Sequence, residues 1–92
     1  MLRELSLSDV KLLYFAWVRE KVGRGEETVK LPESTTTVAD LIRWLSQRGP
    51  EYEAAFANEN VIRVAINQQH VEHDARIGNA KEVAFFPPVT GG

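Results

Sequence analysis

The chain contains no cysteine. That absence excludes a disulfide framework, a thiolate zinc site, a cysteine-held iron–sulfur cluster and a cysteine nucleophile. Histidine is scarce: His70 and His73 are the only two, and solvated or packed imidazoles are expected there, not a metal site. Positive charge is not in excess, with 11 Lys and Arg against 13 Asp and Glu for a net charge of −2. A nucleic-acid partner is therefore not expected. No apolar run approaches the ~18 residues of a membrane span. Residues 1–9 carry Arg3, Glu4 and Asp9 and do not read as a signal peptide. No membrane partner and a cytoplasmic location are the expectation. Gly23-Arg24-Gly25 lacks the lysine and the strand–loop–helix grammar of a phosphate loop and reads as a turn. Acids are present, but no catalytic constellation is. The isolated chain is expected to have no independent catalytic activity, bound cofactor or metal.

What is present is an ordinary globule. Ninety-two residues with 43% apolar and 26% charged side chains make one domain with one core. Residues 1–9 have no clear period and read as a frayed extension. Val10–Ala16 is rich in β-branched and aromatic residues and reads as a strand with two apolar faces. Val10, Leu12, Tyr14 and Ala16 share one face, and Lys11, Leu13, Phe15 and Trp17 the other. Such a strand is central, covered on both sides or touching a partner on one. A short helix over Trp17–Val22 ends at the glycines, and Glu27–Leu31 hairpins back until Pro32 stops it.

Thr37–Arg48 is the principal helix. Thr37 is its N-cap, Asp40 its N3 residue, and Val38, Leu41, Ile42 and Leu45 form one apolar stripe. Gly49-Pro50 ends it, and Tyr52–Ala57 adds a turn or two. Strands follow at Val61–Ile66, near His70–Glu72, and at Glu82–Phe86, with turns at Asn67-Gln68-Gln69 and Gly78-Asn79. The order β-β-α-β-β-β with one main helix implies an α+β roll of the ubiquitin-like, β-grasp kind, a mixed sheet of five strands on one helix. The expected layout is an extension over 1–9, a β-grasp domain over 10–88 and a protruding tail over 89–92.

The final string is the unusual part: Phe85-Phe86-Pro87-Pro88-Val89-Thr90-Gly91-Gly92. Two aromatics anchor the end of a strand, and two prolines stop it and favour a stiff extended exit. The last four residues reach roughly 13 Å beyond that anchor at about 3.3 Å each. Gly91 and Gly92 have no Cβ, so the tip is thin enough for a narrow channel and its carboxylate carbon is open to attack.

From Val10 to Gly92 the chain resembles the small subunit of molybdopterin synthase, the sulfur-carrier family often called MoaD. The carriers are Leu13-Tyr14-Phe15-Ala16 with Val18-Arg19-Glu20, then Ala65-Ile66-Asn67-Gln68, and above all Glu82 to Gly92. His70 departs from the pattern, since an apolar side chain is common there at the partner interface. The resemblance implies that an adenylating enzyme of the ubiquitin-activating type, using ATP, activates the Gly92 carboxylate. A sulfur-donor protein then converts it to a thiocarboxylate. Inserted in the large subunit, its sulfur attacks cyclic pyranopterin monophosphate to build the dithiolene of molybdopterin. The family assembles as a heterotetramer. On this pattern Gly92 is the reacting residue and Gly91 its steric companion. Phe15, Phe86, Pro87, Pro88, Val89, Thr90 and His70 face the large subunit, core packing being the alternative for Phe15 and Phe86, and Arg19 either contacts the activating enzyme or is a solvated helix charge. Two other users of a Gly-Gly terminus stay open: a ubiquitin-like protein modifier and a thiamine-pathway sulfur carrier.

Overall fold

The computed structural model describes residues 9–88. The expected extension over residues 1–8 and the tail over 89–92 fall outside the described residues. Asp9 itself pairs with Lys30, so it belongs to the domain and not to the extension. Strand β1 runs over Asp9–Tyr14, with Val10, Leu12 and Tyr14 buried and Lys11 exposed. It stops two residues earlier than its composition suggests. The Phe15 carbonyl accepts from the N–H groups of Val18 and Arg19, and Ala16 has φ +54°, a left-handed conformation that no strand continues through. Helix α1, Ala16–Val22, starts there and ends at Gly23, whose φ of +93° makes it a left-handed C-cap. Trp17 therefore lies on this helix, partly buried against the core, and not on the strand face.

Strand β2, Glu26–Lys30, runs antiparallel to β1. Helix α2, Val38–Ser46, is held at its start by a complete capping box. The Thr37 hydroxyl accepts from the Asp40 N–H at 3.2 Å, and the Asp40 carboxylate accepts from the Thr37 N–H at 3.2 Å. The next two N–H groups, of Val38 and Ala39, donate to the carbonyls of Ala75 and His73, so the orphan donors of the first turn find partners in a distant loop. Val38, Leu41, Ile42 and Leu45 are fully buried, which is the apolar stripe the spacing predicts. The helix ends before Arg48: the N–H groups of Gln47 and Arg48 donate to the carbonyls of Trp44 and Leu45 in a tightened last turn.

Gly49-Pro50 follows the end of α2 at Ser46 and begins helix α3, Pro50–Ala55, with Gly49 as its N-cap. Proline is suited to a first helical position, so α3 starts two residues before the expected Tyr52. A 3-10 turn over Glu59–Val61 takes Val61, the residue expected to open the next strand, which starts instead at Arg63. Strands β3, Arg63–Ile66, and β4, Gln69–Val71, form a hairpin whose two loop residues, Asn67 and Gln68, have φ of +50° and +72°. Two positive values are what a tight hairpin turn matched to strand twist requires. Strand β5, Glu82–Phe86, falls where its sequence places it.

The sheet order is β2-β1-β5-β3-β4, with β1 and β5 parallel and the other neighbours antiparallel. The helices cover one face. Beneath them Tyr14 stacks on Phe85 with ring centroids 5.8 Å apart, and Phe56 meets both rings edge-on at 6.4 and 5.3 Å. This is the mixed-sheet β-grasp architecture expected from the order of elements.

Candidate functional site

The site begins with side-chain alternation. Leu12, Tyr14, Val64, Val83 and Phe85 point into the core, so Leu13, Phe15, Ala65, Ala84 and Phe86 occupy the face without helices. Register turns these into rows. Leu13 pairs with Ala84, Ala84 with Ala65, and Ala65 with His70. One step further along, Phe86 pairs with Arg63. Because Ala65 is small, the His70 ring reaches across β3 and meets Phe86 edge-on, with centroids 5.2 Å apart at 70°. The result is a low floor of alanines bordered by Leu13, Phe86 and His70.

Phe15 completes this surface. It is 48% exposed, the only large apolar side chain so open among the described residues. Its backbone is nonetheless fixed: its N–H donates to the Phe85 carbonyl at 3.0 Å, and its own carbonyl starts α1. A ring anchored at the backbone has only its side-chain rotamer freedom left to lose when a partner covers it. Parallel pairing of β1 with β5 places Phe15 and Phe86 at the same end of the sheet. Half-buried Pro87 and Pro88 leave from that same end. Of the residues singled out in the sequence, Phe15, Phe86, His70, Pro87 and Pro88 are thus described together. Val89, Thr90, Gly91 and Gly92 lie outside the described residues.

Arg19 stands apart from His70 and Phe86. It lines a groove with Lys11, Leu13, Phe15, Gly25 and Glu26 on the opposite flank of Phe15. Its guanidinium lies against Gly25, where an added Cβ would sit 3.4 Å from Cζ. His73 Nε2 is 2.8 Å from the Ile62 carbonyl, to which it donates. No group of three or more metal-ligating side chains occurs among the described residues. No helix there is long and apolar enough to cross a membrane.

Sequence reasoning missed one cluster. Glu27, on β2 opposite Leu12, turns its carboxylate to the rim of the core, where its side chain is only 7% exposed. The hydroxyls of Tyr52 and Tyr14 donate to its Oε2 at 2.6 and 2.8 Å, and Arg48 pairs with the same oxygen at 3.1 Å. Arg24 pairs with Oε1 at 3.3 Å. The Arg48 guanidinium also lies over the rings of Trp44 and Tyr52, 5.2 and 4.8 Å from their centroids. Burial alone pushes the Glu27 carboxyl up; the two phenols and Arg48 outweigh it and hold it below the usual carboxylate range. Burial, reinforced by Glu27, pushes both phenols upward, Tyr14 most. This cluster ties β1, β2, α2 and α3 together behind Phe15. Its partners are up to 25 residues apart in sequence, so no local pattern marks it.

The chain is similar to known proteins over most of its length. The ThiS family profile matches residues 12–92. The molybdopterin synthase sulfur carrier subunit of Haemophilus influenzae is 34% identical over 83 residues, covering 90% of this chain and 99% of that protein. Its Escherichia coli counterpart is 35% identical over the same length and coverage. Among solved structures, the Pyrococcus furiosus protein assigned as molybdopterin converting factor subunit 1 superposes with a TM-score of 0.70 at 32% identity. That match spans 88% of this chain and 98% of the other. Small archaeal modifier protein 1 of Haloferax volcanii superposes equally well, with a TM-score of 0.70 over 89% of this chain and 99% of its own. Its 24% identity speaks for the fold alone. Matched by the family profile over nearly all its length and by curated relatives almost end to end, the chain belongs to the ThiS family and, within it, to the molybdopterin synthase sulfur carrier subunits.

Proposed function

We propose that this chain carries the sulfur that molybdopterin synthase inserts, and that the carboxylate of Gly92 is its point of attachment. The observation supporting this most directly is the shared end of the parallel β1–β5 pair, where the exposed Phe15 ring stands beside the exit of the final strand. A carrier needs that arrangement: a surface that docks, and a thin end that enters the partner from the docked position.

The chemistry needs no catalytic side chain on this chain. A carboxylate is a poor acyl donor because its leaving group is poor. Attack of the Gly92 carboxylate on the α-phosphorus of ATP, in the adenylating partner, releases diphosphate and leaves an acyl-adenylate. Hydrosulfide supplied by the donor protein then attacks the acyl carbon, AMP departs with the bonding pair, and loss of the S–H proton leaves the thiocarboxylate. The thiocarboxylate that results is a soft, ionised nucleophile, which gives a cysteine-free protein a reactive sulfur. In the large subunit that sulfur attacks a carbon of cyclic pyranopterin monophosphate and displaces an oxygen substituent there, and water cleaves the acyl–sulfur bond to regenerate the carboxylate; two such rounds supply the two sulfurs of the dithiolene. Bases and cations for each step come from the partners. Phe15, Phe86 and His70 form the docking surface for the large subunit, with Pro87 and Pro88 as the stalk and Val89 and Thr90 inside the partner. Arg19, on the other flank of Phe15, faces the adenylating enzyme.

The test is the intact mass of the protein recovered from its own cells and after incubation with adenylating enzyme, ATP and a sulfide source. Replacement of one oxygen by sulfur is expected, and a chain lacking Gly92 should not gain it. Conjugates to lysine in place of that mass change would assign the chain to the protein modifiers instead.

A further inference from the structure

Strand β5 carries Phe86 and leads into the final residues, so its position along its own axis sets both. Side-chain alternation excludes a slip of one residue, which would turn Val83 and Phe85 out of the core. It does not exclude a slip of two, which leaves every side chain on its own face. Such a slip would move the strand end by about 6.6 Å at roughly 3.3 Å per residue. That is half of the roughly 13 Å that the last four residues span when extended.

Asn67 supplies a register mark that does not depend on side-chain identity in β5. Its N–H donates to the Glu82 carbonyl at 2.9 Å. Its Oδ1 accepts from the N–H groups of Lys81 at 3.0 Å and Glu82 at 3.1 Å. All three bonds are to backbone atoms at the first residue of β5 and the one before it. The side chain reaches them because Asn67 occupies the left-handed region, φ +50°, at the turn of the β3–β4 hairpin. Asparagine is tolerated there, where most residues are strained. The hairpin turn and the start of β5 are thereby pinned to each other.

We infer that Asn67 is a positioning residue for sulfur transfer: it fixes β5 along its axis and so sets how far Gly92 reaches into the partners. The inference rests on the carrier function proposed above. Three variants separate its parts. Asn67→Gly keeps the positive φ and removes the acceptor; Asn67→Asp keeps an acceptor; Asn67→Ala loses both the acceptor and the ease of the turn.

Sulfur transfer from the thiocarboxylated chain to cyclic pyranopterin monophosphate in the large subunit is measured under conditions where each variant is folded by circular dichroism. Amide exchange is followed in parallel. Asn67→Gly should lose about tenfold or more in kcat, with a smaller change in KM because Phe15 is also held by the pairing of β1 with β2 and by its own carbonyl at the start of α1. Asn67→Asp should restore kcat. Amides from Glu82 to Phe86 should exchange about tenfold faster in Asn67→Gly, while those of Leu41 and Ile42 in α2 stay protected. A purely structural role would lower the melting temperature and leave kcat alone. Wild-type kcat in Asn67→Gly, no rescue by Asn67→Asp, or unchanged protection across β5 would each overturn the inference. If the wild-type chain itself transfers no sulfur, the carrier function fails, and amide exchange alone then decides whether Asn67 holds β5.

Discussion

Tyr14 and Phe15 are neighbours on one chain and belong to different molecules in effect. Tyr14 is 1% exposed, stacked on Phe85 and bonded to Glu27; Phe15 is 48% exposed and touches no comparable cluster. The covered face of the sheet is aromatic because the core needs volume. The open face is aromatic without that need. The difference teaches that composition alone does not assign a role to a ring: the same residue type stabilises on one side and stands open to solvent on the other. Only the period of the strand and the placement of the helices tell them apart.

The sharpest way to break this contrast is to truncate one ring from each face. Phe85→Ala should destabilise the fold by about 3–5 kcal/mol, read as a lower midpoint in urea. Phe86→Ala, one residue on, should leave that midpoint nearly unchanged and weaken binding of the large subunit by about 1–3 kcal/mol in calorimetry. Equal destabilisation by both would erase the distinction between the faces. Glu27→Gln tests whether the covered side is also held electrostatically; loss of the charged acceptor should cost about 1–3 kcal/mol.

The pH dependence sharpens that test. The Glu27 carboxyl titrates lower in the folded chain than in the unfolded one, so its contribution is whole above about pH 4.3 and is lost as pH falls through its folded value. The phenols of Tyr14 and Tyr52 are shifted upward. Their contribution is whole below about pH 10 and lost as pH rises beyond it. The melting temperature should be level between those limits, and Glu27→Gln should flatten the acid limb. The smallest effect is expected from Thr37→Ala, which removes one half of the capping box at a cost of about 1 kcal/mol without changing docking.

Much of this was legible beforehand. Val38, Leu41, Ile42 and Leu45 announce α2 by spacing, and Glu82–Phe86 announces β5 by composition and by the prolines after it. What escaped is what local sequence does not encode. Ala16 adopts a left-handed backbone because β1 must end where α1 starts, and alanine has no intrinsic preference for it. Pro50 was readable as a stop and is equally a start. Glu27 looked like one charge in an alternating strand, since Tyr14, Arg48 and Tyr52 reach it only after the chain has folded. On the candidate site, Phe15 and Phe86 could be named from the sequence, but their meeting at one sheet end depends on the parallel pairing of the first and last strands.

That pairing has a consequence for synthesis. The centre of the sheet is filled by β5, the final strand in chain order, inserted between β1 and β3. Until it emerges from the ribosome, two strand edges stand open and half of the proposed docking surface does not exist. Contacts between the first and last strands span most of the chain and form slowly. The carrier therefore becomes competent to meet its partners in the same event that completes its fold, and a chain cut short before β5 has neither a sheet to stand on nor a face to show.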